Sequence, residues 1–167
     1  MKRKITAALL AAAILCCASC DSKPAETTTT AATEAAVTEF TASDVTAAVL
    51  AEITINSAFE KKPESLPDYF TDLNTEDLAD SSYYLCASGA YPDEIAVFEF
   101  KSAEAAEKGL EAVKTRLKDQ ISVYESYTPD EMYKLEGAIT EVKGNYVYYL
   151  VCSDNSKAQD IVTKFIK

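Results

Sequence analysis

Apolar positions recur along Ser102 to Tyr124 in steps that a helix brings into line. Ala106, Leu110, Val113, Leu117, Ile121 and Tyr124 follow at intervals of four, three, four, four and three residues, and so share one face of a 3.6-residue turn. Glu104, Glu107, Lys108, Glu111, Lys114 and Lys118 take the opposite face, with Glu104 one turn ahead of Lys108. Ser102 stands where an N-cap is needed. A second helical pattern runs from Ser43 to Phe59, carried by Val45, Val49 and Ile53 and broken by Pro63 and Pro67. A third covers Asn155 to Ile166 through Ala158, Ile161, Val162, Phe165 and Ile166, with Asp154-Asn155 as its cap. Thr128-Pro129-Asp130-Glu131 has the form of a capping box with proline in the first turn, which predicts a short helix to about Leu135. Thr75 to Ala79 predicts one further turn.

Between these helices lie two strand pairs. Tyr83–Ser88 and Glu94–Phe100 flank the loop Gly89–Asp93, and Ala138–Lys143 and Tyr146–Cys152 flank Gly144-Asn145, a two-residue turn with glycine where positive φ is needed. The order is therefore helix, hairpin, helix, hairpin, helix. It predicts an α+β fold in which a four-stranded, mostly antiparallel sheet carries the helices on one face. In the last strand Tyr146, Tyr148 and Leu150 alternate with Val147, Tyr149 and Val151, so neither side is polar. Either the segment after the first helix covers the second face, or that face is a tyrosine-rich surface open to a partner.

The amino terminus changes the picture of where such a fold would sit. Met1-Lys2-Arg3-Lys4 is followed by an apolar run from Ile5 to Leu15, shorter than the roughly 20 residues of a membrane span and suited to the core of a secretory signal. It ends in Cys17-Ala18-Ser19-Cys20, which resembles a bacterial lipobox; Cys17 replaces the usual aliphatic residue. That resemblance implies cleavage before Cys20 and acylation of Cys20; an ordinary signal peptide with an incidental Cys20 is the alternative. The expected organisation is a signal peptide over 1–19, an acylated cysteine and tether over 20–42, and one domain over 43–167. The tether, rich in Thr, Ala and Glu, has too little apolar surface to fold; its rms reach is about 25 Å. The expected location is the outer face of the bacterial cytoplasmic membrane, held through the acyl chains on Cys20.

Loss of Lys2, Arg3 and Lys4 with the signal takes the formal net charge from −11 to −14. So acidic a chain is repelled by phosphate backbones, which argues against nucleic acid as a partner. The segment Ala87-Ser88-Gly89-Ala90-Tyr91-Pro92-Asp93-Glu94-Ile95-Ala96-Val97-Phe98, with Tyr127 to Leu135 and Gly144-Asn145-Tyr146-Val147, resembles a domain-of-unknown-function family of small lipoproteins, mostly from anaerobic Gram-positive bacteria. The resemblance spans roughly Leu50 to Ile166. It implies a lipid-anchored extracytoplasmic domain and brings no catalytic residues or cofactor.

Chemistry is bounded mainly by exclusion. Histidine is absent, which removes Ser-His-Asp and Cys-His catalysis, His-ligated zinc and the usual near-neutral general base. No CxxC, P-loop, GxGxxG or EF-hand spacing occurs, so no metal or cofactor is expected. Cys86 and Cys152 each fall in a strand, as buried thiols or as a disulfide. Asp93-Glu94 and Asp130-Glu131 are the carboxylate pairs a cell-envelope hydrolase would use. The leading expectation is a binding or interaction module for an envelope protein or small ligand. Its candidate surface comprises Tyr91, Pro92 and Asp93 at the first hairpin tip together with Tyr127, Tyr146 and Tyr148, since tyrosine beside proline presents rigid amphipathic area.

Overall fold

The computed structural model describes residues 40–167; Cys20, the signal peptide expected over 1–19 and most of the tether expected over 20–42 lie outside them. Helix α1 is Ala42–Glu52, opened by a reciprocal capping box in which the Thr41 hydroxyl accepts from Asp44 N and the Asp44 carboxylate accepts from Thr41 N. Phe40, Thr41 and Ala42, assigned to the tether by composition, belong to the folded body: the Phe40 ring packs on Tyr146 at 5.5 Å and Phe165 at 5.7 Å. The helix stops at Glu52 and does not continue to Phe59. The β-branched run Ile53-Thr54-Ile55 follows, Ile53 is already extended, and Ser57 adopts φ 51°. The chain then forms β1, Ala58–Lys61.

That strand makes the sheet five-stranded, not four. After 3₁₀ turns at Pro63–Asp68 and Thr75–Asp77 come β2 (Leu78–Cys86) and β3 (Glu94–Phe100), then β4 (Ile139–Lys143) and β5 (Tyr146–Val151). All pairings are antiparallel, in the order β1-β2-β3-β5-β4. Gly144 takes φ 60° in the β4–β5 turn, where a two-residue hairpin requires it. Between β3 and β4, α2 spans Ala103–Tyr127, with the Ser102 hydroxyl accepting from Ala105 N, and α3 spans Met132–Glu136. The capping box expected at Thr128 does not form. Pro129 opens a 3₁₀ turn, but the Thr128 hydroxyl caps nothing and Glu131 pairs with Lys134 at 2.7 Å instead. Helix α4, Asn155–Val162, is capped by Asp154, which accepts from Lys157 N; Phe165 and Ile166 still pack although the helix has ended.

The helices cover both faces of the sheet, contrary to the one-face expectation. On one face Ala106, Leu110, Val113 and Tyr124 of α2, Leu135 of α3 and Leu66, Phe70 and Leu73 of the connecting segment pack against Tyr83, Ala96, Phe98, Val147, Tyr149 and Val151. On the other, Val45 and Val49 of α1 with Ala158, Ile161 and Val162 of α4 pack against Ile95, Val97, Tyr148 and Leu150. The cause is legible in β3 and β5, which are apolar at successive positions, the mark of strands buried on both sides. The connecting segment thus lies on the same face as α2, and the second face is closed by the terminal helices. A buried bond of 2.7 Å between the Thr46 and Ser82 hydroxyls, and Ala42 N donating to Asp80 at 2.8 Å, fix α1 on β2.

Cys86 and Cys152 are free, buried thiols. Cys86 ends β2 and Cys152 follows β5, and the register of Leu85, Glu94 and Val151 places them on either side of Asp93, which precedes β3. Two strand spacings put their Cα atoms about 10 Å apart, too far to bridge without moving the backbone.

Candidate functional site

The α2 side of the sheet is left uncovered at one end, where β2 passes into β3. A cavity of about 450 Å³ opens there between β1, the loop 87–93 and α2. Strand register builds one wall: Phe59 stands opposite Leu85, Lys61 opposite Tyr83, and Leu85 opposite Glu94, so these side chains share a face. Helix periodicity builds the other. Arg116, Gln120 and Tyr124 are spaced by four, so one edge of α2 presents a guanidinium, an amide and a phenol to the cavity. Tyr69 and Tyr91 complete it.

Glu94 is the buried charge at its base. Arg116 donates to both carboxylate oxygens, from Nε at 3.2 Å and a terminal nitrogen at 2.5 Å, and Gln120 Nε2 donates at 2.5 Å. Burial pushes the Glu94 carboxyl above its ordinary range, against the lowering effect of Arg116, Tyr83 and Gln120. Burial works against the Arg116 cation too, but the hydrogen bonds and charge of Glu94 prevail and hold its pKa up. The Arg116 guanidinium also lies 5.6 Å from the centre of the Tyr69 ring, a cation–π arrangement.

A second ion pair closes the tip. Lys134 of α3, itself buried, reaches Asp93 at 2.7 Å and Glu131 at 2.7 Å. Its ammonium sits 5.4 Å from the Tyr91 ring and 5.9 Å from that of Tyr133. The Tyr124 hydroxyl lies 3.1 Å from the Gly89 carbonyl and 2.9 Å from that of Tyr91, tying the loop to α2.

The six residues expected to form one surface are divided. Tyr91 and Asp93 line the cavity, with Pro92 buried between them and Asp93 committed to Lys134. Tyr127 is 69% exposed at the end of α2. Tyr146 and Tyr148 lie on the opposite face beneath α1 and α4; Tyr148 is 1% exposed and its hydroxyl donates to Glu141. Sequence reasoning passed over Phe59, Lys61 and Tyr69, which lay in a segment read as helix end and connector. It also passed over Arg116 and Gln120. Their signal was present: a four-residue polar step, Arg116-Gln120-Tyr124, running alongside the apolar stripe.

Among the described residues no group of three or more Cys, Asp or Glu side chains is arranged to hold a metal ion, and no helix is long and apolar enough to cross a membrane. Searches of curated proteins and of solved structures gave no match. The family described as a domain of unknown function, DUF4358, matches residues 54–152, a narrower span than Leu50 to Ile166. That span contains every cavity-lining residue from Phe59 to Tyr124 and stops short of α1 and α4. With more than half its length matched over the sheet and the cavity wall, the chain belongs to the DUF4358 family.

Proposed function

We propose that this chain is a lipid-anchored extracytoplasmic binding module that captures its ligand in the cavity between β1, the 87–93 loop and α2. The observation that carries the reading is the cavity itself. It has aromatic walls and a few fixed polar groups, in the size range of small-molecule sites. The Glu94–Arg116–Gln120 cluster and the Tyr124 anchor hold those walls in place before any ligand arrives, and preorganisation of this type lowers the ordering cost of binding.

The anchor is assigned to Cys20 on the signal and lipobox pattern, with the domain on the outer face of the cytoplasmic membrane, as the resemblance to small lipoproteins implies. Geometry supports a division of labour between the anchor and the cavity. Phe40 packs on Tyr146, which pairs with Glu99 near the far end of β3, whereas Glu94 at the cavity begins that strand. Five residues of strand separate the two, about 17 Å. Phe40, where a tether would join the domain, and the cavity thus lie at opposite ends of β3. The carboxylate hydrolase has less behind it, because Asp93 is engaged by Lys134 and Glu94 by Arg116 and Gln120.

Native mass spectrometry of the protein after exposure to a bacterial envelope extract tests the binding reading. A small-molecule adduct should be retained by the wild type and lost when Leu85→Trp fills the cavity. Equal retention by both would remove the cavity from consideration. Cys20→Ser should move the chain from the membrane fraction to the soluble fraction; unchanged partition would end the anchor assignment.

A further inference from the structure

The charged side chains lining the cavity cancel in sum, Lys61 and Arg116 against Asp93 and Glu94, but they are not evenly paired. Asp93 shares Lys134 with Glu131, and Glu94 is paired with Arg116, while Lys61 has no ion pair and no hydrogen-bond acceptor for its ammonium among the described residues. Lys61 nonetheless does not stand free in solvent. Its Nζ lies 4.9 Å from the centre of the Phe59 ring and 4.8 Å from that of Tyr69, and two such contacts hold the ammonium over the cavity wall. Its chain neighbour Glu60 pairs with Tyr84 in the register and so points to the other face.

Arg116 commits Nε and one terminal nitrogen to Glu94, which leaves its second terminal nitrogen without an acceptor among the described residues. The two cations flank the same Tyr69 ring. In a chain with a formal net charge of −11, Lys61 is an unpaired cation in a cavity whose two lining carboxylates, Asp93 and Glu94, are already engaged. A cationic ligand would find the Phe59 and Tyr69 rings already engaged and would meet repulsion from Lys61. A neutral apolar ligand would leave the Lys61 ammonium to be desolvated with nothing to pair it.

We infer that the cavity takes a small organic anion, a carboxylate, sulfonate or phosphate group on a planar or apolar body, with Lys61 as its principal charged contact and the free edge of Arg116 beside it. The body packs against Phe59, Tyr69 and Leu85, and the acid group faces the ammonium. This inference rests on the cavity being the binding site and adds the chemistry of what enters it.

Two dyes with the same ring system separate the possibilities. Anilinonaphthalene sulfonate carries the anion, and N-phenyl-1-naphthylamine is its neutral counterpart. Each is titrated by fluorescence into the wild type, Lys61→Gln and Leu85→Trp. The substituted lysine lies on an edge strand, so native far-UV circular dichroism and an unchanged Tm should accompany it.

The expected result is saturable 1:1 binding of the sulfonate, weakened about tenfold or more by Lys61→Gln, as loss of a charge-assisted contact predicts. The neutral dye should change less than about twofold in that variant, because it forfeits no such contact. Both dyes should be lost from Leu85→Trp. Sulfonate binding indifferent to Lys61→Gln, or no saturable sulfonate binding, overturns the anion inference. If both dyes bind, ignore Lys61→Gln and are lost from Leu85→Trp, the cavity reading stands without the anion. If both survive Leu85→Trp, the cavity reading falls as well.

Discussion

A carboxylate as deeply buried as Glu94 is tolerated only because three donor atoms converge on it, two from Arg116 and one from Gln120. Taking the charge out of water is the dominant penalty, and a partner left alone inherits it. Glu94→Ala should therefore destabilise the fold by about 3–5 kcal/mol in urea unfolding, because Arg116 and Gln120 lose their acceptor. Glu94→Leu combined with Arg116→Leu should recover most of that loss, since neither charge then remains to be paired; a double variant as unstable as the single would contradict this. Tyr149 offers the reverse case. Its hydroxyl is fully buried and makes no hydrogen bond, so Tyr149→Phe should leave stability unchanged or raise it by up to about 1 kcal/mol. A loss beyond about 1 kcal/mol, the worth of a typical hydrogen bond, would mean that the hydroxyl is satisfied after all. Glu94 appeared in the sequence as half of an acidic pair and gave no hint of its partners. Those lie 22 and 26 residues away on α2, and side-chain pairing across elements leaves no mark in local periodicity.

Elements were legible in proportion to their length and contrast. Helix α2 announces itself because six apolar positions, from Ala106 to Tyr124, keep one face over 19 residues. Strand β1 could not: its four residues, Ala58-Phe59-Glu60-Lys61, include one bulky apolar side chain, and that ring is 54% exposed. The hydrophobic step Val45-Val49-Ile53 carried the helical reading straight over it. The start of β2 was hidden for a related reason, since Asp80, Ser81 and Ser82 look like a loop although Ser82 is buried against Thr46. Helix propensity misleads at Gly109. In isolation, Gly109→Ala should favour α2 by about 1 kcal/mol. Here a Cβ would lie 2.0 Å from the tip of the Phe100 ring, which is itself 2% exposed and hemmed in by the core. Gly109→Ala should instead lower stability by about 1–3 kcal/mol, as overpacking does. The combination with Phe100→Leu should lose less than the two single changes added together, a non-additivity expected only of residues in contact. Additive losses would show that the glycine serves something other than this close approach.

At the scale of the molecule, the sheet lies between two helical layers, and its central strands hold tyrosines whose hydroxyls have little access to water. Burial, followed by the nearby carboxylates Glu99 and Glu141, pushes Tyr146 and Tyr148 up to about 12 from an ordinary value of 10. Tyr83 and Tyr149 are raised further, again first by burial and then by the charge of Glu94. The linkage has a definite sign. Each phenol holds its proton more tightly folded than unfolded, so its contribution is fully present below pH 10 and is lost as pH rises towards 12. Because these residues occupy both faces of β5 together with β2, their ionisation cannot be accommodated by a loop moving aside; it must open the layers on either side of the sheet. The tyrosinate absorbance of these four residues should thus rise steeply between pH 10 and 12, in step with the loss of far-UV circular dichroism and separate from the contribution of exposed tyrosines such as Tyr127 and Tyr133. Tyr148→Phe should shift that transition to higher pH, by removing one of the groups whose deprotonation drives it, even though the hydrogen bond to Glu141 is given up. Ionisation of all ten tyrosines with the circular dichroism intact would mean that the buried ones titrate in the folded state, and that the two helical layers do not seal the sheet as described.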